Sequence, residues 1–458
     1  MASLDLWERC ANLAQLWWTR HGGVPVEGVA QHRLRALVRF ARERSPYYRR
    51  RYRRVPREGF ALRDLPVVRK HDLMEHFDEW VTDPRIRRAE VERFIATRPV
   101  GERYLDRYVV FRSSGTSGTP GTFVQDRHAL AVYDALVMSQ LGETWAAAAA
   151  ARVGQWPARA ALVAATHGHF ASIASWEQSR RVYAHVDTAS LSLMEPLPRL
   201  VAKLNAQQPG FLASYPSVLA MLADERIAGR LRIAPGTVWS GGEFLAVSVR
   251  RHIEDAFQAP VVNEYGASEC LAVAASCAAG LLHVHADWVL LEPVDARYRP
   301  VPPGRTSHTV LVTNLANWVQ PIIRYDLGDR VCMPATPCPC GSPLPAIRVE
   351  GRTDDTLRLR SPGGDWVAVP PLALSTVIED AANVHRFQVV QSAPDALSLR
   401  LGTDARATAW KLAAAAMRAY LEGQGLGNVR VALDRCAPRV DRASGKLRTV
   451  IALASCRD

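Results

Sequence analysis

Lysine is nearly missing from this 458-residue chain. Only Lys70, Lys203, Lys411 and Lys446 occur among 57 basic residues, so the other 53 are arginines. That ratio, in alanine-rich text, is what a genome biased toward Arg and Ala codons produces, and it makes the formal charge of +12 a poor guide to partners. Where a lysine persists, the position is a candidate for needing an ammonium and not a guanidinium. Long apolar runs are missing too. No stretch of about 18 apolar residues exists, which excludes a bilayer-spanning helix. The segment Met1 to Gly23 lacks the basic–apolar–small order of a secretory leader and carries Asp5, Glu8 and Arg9 among its apolar residues. A cytoplasmic setting is therefore expected, where 8 cysteines read as metal ligands, nucleophiles or core residues before disulfides. No helix-turn-helix, tandem finger or aromatic strand motif accompanies the basic run Arg49-Arg50-Arg51-Tyr52-Arg53-Arg54. That run reads as a solvated arginine surface, against a nucleic-acid or membrane partner, and a homodimer stays open.

What is present is a globular text with 48% hydrophobic residues, long enough for two or three domains. Residues 30–46 carry Leu34, Leu37, Val38 and Ala41 at helical spacing, and Ser45-Pro46 ends that helix. A turn at Leu65-Pro66 precedes a further helical stretch from about Lys70, so residues 1–100 read as a helical lead-in. Strand-like runs at 107–112, 160–165, 261–264, 288–292 and 309–315 then alternate with helical runs at 128–140, 200–206 and 217–228. Such alternation predicts an α/β fold with mixed sheets and helices over residues 1–350. After Gly351 the pattern changes to strands at 387–391, 397–401 and 429–433 around a helix at 405–422, predicting a small α+β domain over 351–458.

Six segments carry chemistry. Ser113-Ser114-Gly115-Thr116-Ser117-Gly118-Thr119-Pro120-Gly121-Thr122 follows a strand and precedes a helix. Its glycines let backbone amides converge on an oxyanion and its hydroxyls add donors, which suits a polyphosphate; a plain linker is the alternative, and no Walker lysine is present. Ser240-Gly241-Gly242-Glu243 and Asn263-Glu264-Tyr265-Gly266-Ala267-Ser268-Glu269 offer close backbone approach to a flat ligand, a ring for stacking at Tyr265, and a hard oxygen for Mg²⁺ at Glu269. Pro321 to Asp329 is an apolar strand ending in acids able to grip a sugar diol. Gly351-Arg352-Thr353-Asp354-Asp355 marks the change of texture, and Arg442-Ala443-Ser444-Gly445-Lys446-Leu447-Arg448 places one of the four lysines on a glycine-containing turn.

In this order the segments resemble the adenylate-forming superfamily of acyl-CoA synthetases, and most nearly its phenylacetate–CoA ligase-like family. The segments ARERSPYYRRRY, LPVVRKHDL, YGASE and GRTDD carry the resemblance over nearly the whole chain. It implies a large N-terminal adenylation domain and a small mobile C-terminal lid pivoting at Asp354. It implies that Ser113, Ser114, Gly115, Thr116, Ser117, Gly118 and Thr119 close over the phosphates of ATP. Gly121 stands where the wider superfamily often has a lysine. Gly241, Gly242, Glu243, Asn263, Tyr265 and Gly266 correspond to the adenine pocket, Asp329 to the ribose-binding aspartate, and Arg352 to the arginine beside ribose and phosphate. Glu269 corresponds to the Mg²⁺ ligand and Lys446 to the catalytic lysine. The implied reaction joins a small carboxylic acid, aryl or arylacetic, to a thiol through an acyl-adenylate. Coenzyme A is the expected thiol, with a carrier protein or an amine as alternatives. A basic zinc-containing nucleic-acid-binding protein is the reading from another class.

Two further expectations concern histidines and cysteines. Cys338-Pro339-Cys340-Gly341 is a tight knuckle, and with Cys277 and His283 upstream it supplies a tetrahedral structural Zn²⁺ set, an arrangement that the resembled family also contains. Four unrelated reduced residues are the alternative, and His285 is an alternative ligand. By resemblance the acyl pocket is lined by the segment holding His167, His169 and Phe170, by Tyr215, and by Trp239 to Gly241. The two histidines would suit a polar or nitrogenous aryl acid better than phenylacetate.

Overall fold

The structure, a computed structural model, describes residues 2–21, 23, 25–113, 121–149, 159–166, 168–182, 186–350, 357–384, 387–402, 408–439 and 448–453. Lys446, Arg352, Asp354, His167 and residues 114–119 therefore lie outside the described residues.

The fold is mixed α/β, as expected. Its centre is a sheet of nine described strands, ordered Arg330–Cys332, Ala346–Glu350, Leu282–Val284, Cys270–Ser276, Val261–Ala267, Thr237–Gly241, Phe211–Ser214, Arg159–Ala164, Asp187–Ser192. The five strands from Val261–Ala267 to Asp187–Ser192 run parallel, and the remainder are antiparallel. The parallel part needs burial on both faces, and Ala160 to Ala164 are all buried. Helices Ala171–Val182, Leu197–Gln207, Pro216–Ile227 and Val247–Phe257 are the crossovers between these strands. A three-stranded antiparallel sheet, Val289–Val294, Thr309–Asn314 and Ile322–Asp326, lies alongside, and the hairpin Val109–Arg112 with Thr122–Gln125 brackets the serine/threonine/glycine segment.

The helical lead-in shares a core with later elements: Leu34, Leu37, Tyr48 and Trp80 are packed with Val273, Val312 and Ile323. The helix expected at 30–46 runs Val26–Arg44. Ser45 ends it and starts the next, Pro46–Arg51, its hydroxyl accepting from Tyr48 N. Proline thus serves here as a first helical residue as well as a stop. A helix at Ala2–His21 precedes both.

A separate apolar core draws on residues 357–452 alone. Its four-stranded sheet is ordered Arg430–Asp434, Ala396–Leu401, Phe387–Ala393, Val450–Ile451, with the helix Ala409–Gly423 across it. Sequence reading had the three main strands and that helix. It had neither the hairpin Leu357–Arg360 with Trp366–Val369 nor the helix Pro371–Ala382, whose opening Pro370-Pro371 reads as a breaker but sits at the helix start.

Candidate active site

The candidate residues gather at the carboxyl ends of neighbouring parallel strands, where an open α/β sheet leaves a crevice. Tyr215 follows Phe211–Ser214, Gly242 follows Thr237–Gly241, and Tyr265 sits near the end of Val261–Ala267. Register holds the set together, with Ser214 opposite Ser240, Ser240 opposite Asn263 and Gly241 opposite Glu264. Two polar atoms here lack a hydrogen-bond partner among the described residues: Ser240 Oγ and Asn263 Oδ1, both buried. Buried acceptors are rarely left unmade, and an orphaned amide oxygen beside two glycines fits a ligand with an N–H edge, as adenine has.

The acidic side is built from tyrosines. Tyr265 donates its hydroxyl to Asp329 Oδ2 at 2.9 Å and Tyr325 donates to Glu269 Oε1 at 2.6 Å. Burial, with the carboxylate alongside, pushes both phenols well above their ordinary range, so they stay protonated donors. Glu269 occupies the turn between Val261–Ala267 and Cys270–Ser276 and is 4% exposed. Its counter-charge is Lys70, whose Nζ stands 3.6 Å from Glu269 Oε1 and 3.3 Å from Ser113 Oγ. Ser113 Oγ also accepts from Gly121 N at 2.7 Å, and Ser113 N donates to Gly121 O at 2.9 Å, closing the base of the segment between them. Lys70 was not among the site residues expected from sequence. Its rarity was the available signal. Position 121 itself has no room for a side chain as the Phe123 ring stands: a Cβ there would lie 2.5 Å from it. The ammonium reaches Ser113 from the chain before it instead.

The glycines divide by role. Gly242 has φ +79°, and a Cβ on it would meet the Tyr215 ring at 3.0 Å. Gly266 is required by backbone and not by ligand approach: a Cβ would lie 1.8 Å from the Leu271 carbonyl oxygen, at the point where the register with Cys270–Ser276 shifts. Gly266→Ala is expected to cost about 1–3 kcal/mol or more, because the hairpin carrying Tyr265 and Glu269 must open. A fall in melting temperature together with weaker nucleotide binding would show it; an unchanged melt would contradict the close approach. Glu243, assigned with the adenine pocket, spends its carboxylate on the first turn of Pro216–Ile227, accepting from Ser217 N at 3.0 Å and Ser217 Oγ at 3.1 Å.

On the side that resemblance assigns to the acyl group, Tyr215 shares a hydrogen bond with Ser172 Oγ at 3.0 Å, and Phe211 lies 6.2 Å from Trp239, centroid to centroid. His169 is buried with φ +54°; its Nε2–H donates to the Arg98 carbonyl at 2.9 Å and its ring packs on Phe94. Burial pushes its pKa down, so it is a neutral structural histidine, the common fate of a lone one. Phe170 is half-buried beside it. The polar group that sequence reading passed over is Glu264. It accepts from Trp239 Nε1 at 3.1 Å, and burial pushes its carboxyl up to about 7.

Cys277, His283, Cys338 and Cys340 converge, their ligand atoms all within 4.8 Å of one another. Cys277 Sγ stands 3.6 Å from Cys338 Sγ, and Cys340 Sγ stands 3.3 Å from His283 Nε2. Tetrahedral zinc with bonds of about 2.3 Å to sulfur and about 2.0 Å to nitrogen places such atoms roughly 3.5–3.8 Å apart. His283 Nδ1–H donates to the Leu344 carbonyl at 2.8 Å, which leaves Nε2 as the coordinating nitrogen. The donor set fits the metal. His285, the alternative ligand, is engaged elsewhere, with Nδ1 3.1 Å from Arg20.

Known proteins resemble this chain over most of its length. The chain is 26% identical over 350 residues to the phenylacetate-coenzyme A ligase of Thermus thermophilus, covering 73% of this chain and 72% of that protein. The chain is thus similar to a phenylacetate-coenzyme A ligase over most of its length. Protein CapK of Staphylococcus aureus is 26% identical over 204 residues, 43% of each chain. Among solved structures, 2-hydroxyisobutyryl-CoA ligase in its thioesterification state, with 2-HIB-AMP and CoA, aligns with a TM-score of 0.59 at 22% identity over 93% of this chain and 89% of that one. Its open conformation aligns at 0.54 with 21% identity over 92% and 90%. No family model matches.

Proposed function

We propose that this chain is an AMP-forming ligase. It activates a small carboxylic acid with Mg·ATP and passes the acyl group to a thiol, coenzyme A. A substrate carboxylate oxygen attacks the α-phosphorus, the bond to pyrophosphate breaks, and acyl-AMP forms. The thiol then loses its proton, its sulfur attacks the acyl carbon, and AMP leaves. The observation that carries this reading is the meeting of Lys70, Glu269 and Ser113, with Tyr265 of the Tyr265–Asp329 pair on the strand that leads to Glu269. Glu269 would hold Mg²⁺, which neutralises phosphate charge when bound. Lys70 pairs with Glu269 and donates to Ser113, where the segment assigned to phosphate begins. Asp329 grips the ribose, and Asn263 and Ser240 take the base edge. Lys446, Arg352 and the Asp354 pivot are assigned by family resemblance and complete the site from the C-terminal side. Support for coenzyme A comes from the relatives, one named a phenylacetate-coenzyme A ligase and one solved with CoA and an acyl-AMP.

We assign an aryl or arylacetic acid on the strength of Tyr215, Trp239 and Phe211, and a donor group on its ring to Glu264. Zinc, bound by Cys277, His283, Cys338 and Cys340, is structural here: four protein ligands leave no open position for catalysis. Acid-dependent exchange of radiolabelled pyrophosphate into ATP, run across benzoates, phenylacetates and their hydroxy and amino derivatives, tests the reading. Exchange with ring-substituted aryl acids is expected. No exchange with any acid, in folded protein, would sink it.

A further inference from the structure

The arginine run read from sequence as plain surface is the wall of a cleft. Arg50, Arg51, Arg53 and Arg54, with Val55, Pro56, Asp64 and Pro66, line a concavity of about 730 Å³. Part of the run has a local explanation. Arg49, Arg50 and Arg51 form the last turn of the helix Pro46–Arg51, where cations complement the exposed carbonyls. Arg50 pairs with Glu79, and Arg51 donates to the Val67 carbonyl at 2.6 Å. Arg53 and Arg54 lie past the helix end and have no such account. Arg53 donates to the Arg50 carbonyl at 3.4 Å, and Arg54 has no carboxylate at ion-pair distance among the described residues. Asp64, the acid in the wall, is already committed through Oδ2 to Ala61 N at 2.8 Å. With Arg50 paired to Glu79, three further guanidiniums against the one carboxylate of a concave wall still concentrate positive potential, and the guanidinium fork matches a phosphate's oxygens two at a time.

The cleft also shares a segment with the active site. Its wall at Pro66 is four residues before Lys70, at most about 14 Å along an extended chain. Val68 between them is bonded into the site's own framework, its N–H donating to the Arg324 carbonyl at 3.1 Å and its carbonyl accepting from Asp326 N at 2.9 Å. We infer that this cleft is a second anion site, taking the phosphate of a small phosphorylated ligand outside the nucleotide pocket. Two sources share that chemistry: the phosphates of coenzyme A and departing pyrophosphate. Naming these two rests on the ligase reading; the anion site itself does not.

Direct binding without turnover separates the two claims. Affinity for coenzyme A, dephospho-coenzyme A and inorganic pyrophosphate is measured by calorimetry on the full chain, in the absence of ATP and acid. The same is done for Arg53→Ala/Arg54→Ala and for the milder Arg54→Gln. Both residues lie on the surface, and thermal melting checks that the variants are folded. The double variant is expected to weaken at least one probe by roughly ten-fold or more, the loss of one or two charge-assisted contacts. A loss for coenzyme A that dephospho-coenzyme A does not share assigns the cleft to the terminal phosphate; a loss for pyrophosphate alone assigns it to product release. Equal affinities of wild type and folded variants for every probe overturn the site, as does a wild type that binds none of them saturably. Duplex DNA displacing all three at equal phosphate concentration overturns it in favour of a nucleic-acid surface.

Discussion

Replacing Lys446 by alanine is expected to lower acid-dependent ATP–pyrophosphate exchange by about 10²–10³, roughly 3–4 kcal/mol of transition-state stabilisation. The argument is electrostatic. A carboxylate attacks a phosphorus that already carries negative oxygens, so charge accumulates where the two meet, and a fixed cation there is worth most at the transition state. Glu269 and Asp329 make the described side of the site acidic, and the ammonium at its phosphate end, Lys70, is held 3.6 Å from Glu269. Lys70 donates to Ser113, where the segment assigned to the β- and γ-phosphates begins, which leaves the α-phosphate to a cation from elsewhere. Family resemblance assigns that role to Lys446, one of only four lysines among 57 basic residues. Lys446→Arg sharpens the test. A planar fork in place of a compact point charge is expected to recover little of the rate. Melting should be unchanged in both variants, and thioester formation from separately supplied acyl-adenylate should fall much less than exchange. A near wild-type exchange rate in Lys446→Ala would remove Lys446 from the mechanism.

The scarcity of lysine was the most telling feature of the sequence, and only half of its content was readable there. It pointed to Lys446 because Gly445 and the C-terminal position matched a known pattern. Lys70 belonged to the same short set but lies 199 positions before its partner Glu269, and linear text does not show that Val68 pairs with the strand holding Tyr325. The same distinction separates the fold's legible parts from the rest. Strands buried along nearly their whole length, such as Arg159–Ala164 and Thr309–Asn314, declare themselves as apolar runs. Asp187–Ser192, an edge strand with only one buried residue, carries no such signal. Gly266 and His169 were read toward ligand because both lie in chemically suggestive segments. Their actual determinants are a carbonyl from Leu271 and a carbonyl from Arg98, backbone partners that any residue type could supply and no residue name reveals. Glu264 was passed over for the converse reason: between Asn263 and Tyr265 it is one acid among many, and burial beside Trp239 is what distinguishes it.

Metal removal is expected to be the largest single loss of stability. The four converging side chains come from three places in the fold. Cys277 follows the strand Cys270–Ser276, His283 lies within Leu282–Val284, and Cys338 and Cys340 form the knuckle before Ala346–Glu350. Those strands are neighbours in the nine-stranded sheet, Ala346–Glu350 pairing with Leu282–Val284 and the latter with Cys270–Ser276. One ion would therefore pin a hairpin end to the connection that brings the next strand into register. Without it, two sulfurs 3.6 Å apart are neither bonded to each other nor well hydrogen-bonded, since a disulfide needs about 2.05 Å and thiols are weak donors. Structural zinc binds with apparent energies of about 10–16 kcal/mol in small fingers, several times the cost of an ordinary point mutation. Purified protein is expected to carry one zinc per chain. Stripping it with a chelator, or the double change Cys338→Ser and Cys340→Ser, should lower the melting temperature by roughly 10 °C or more, with zinc restoring the stripped wild type and not the variant. Exchange activity per folded molecule should survive at low temperature, because a closed four-ligand site offers no position to a substrate. A melt indifferent to chelation, with no zinc by elemental analysis, would leave the cluster as four reduced side chains packed by the sheet alone.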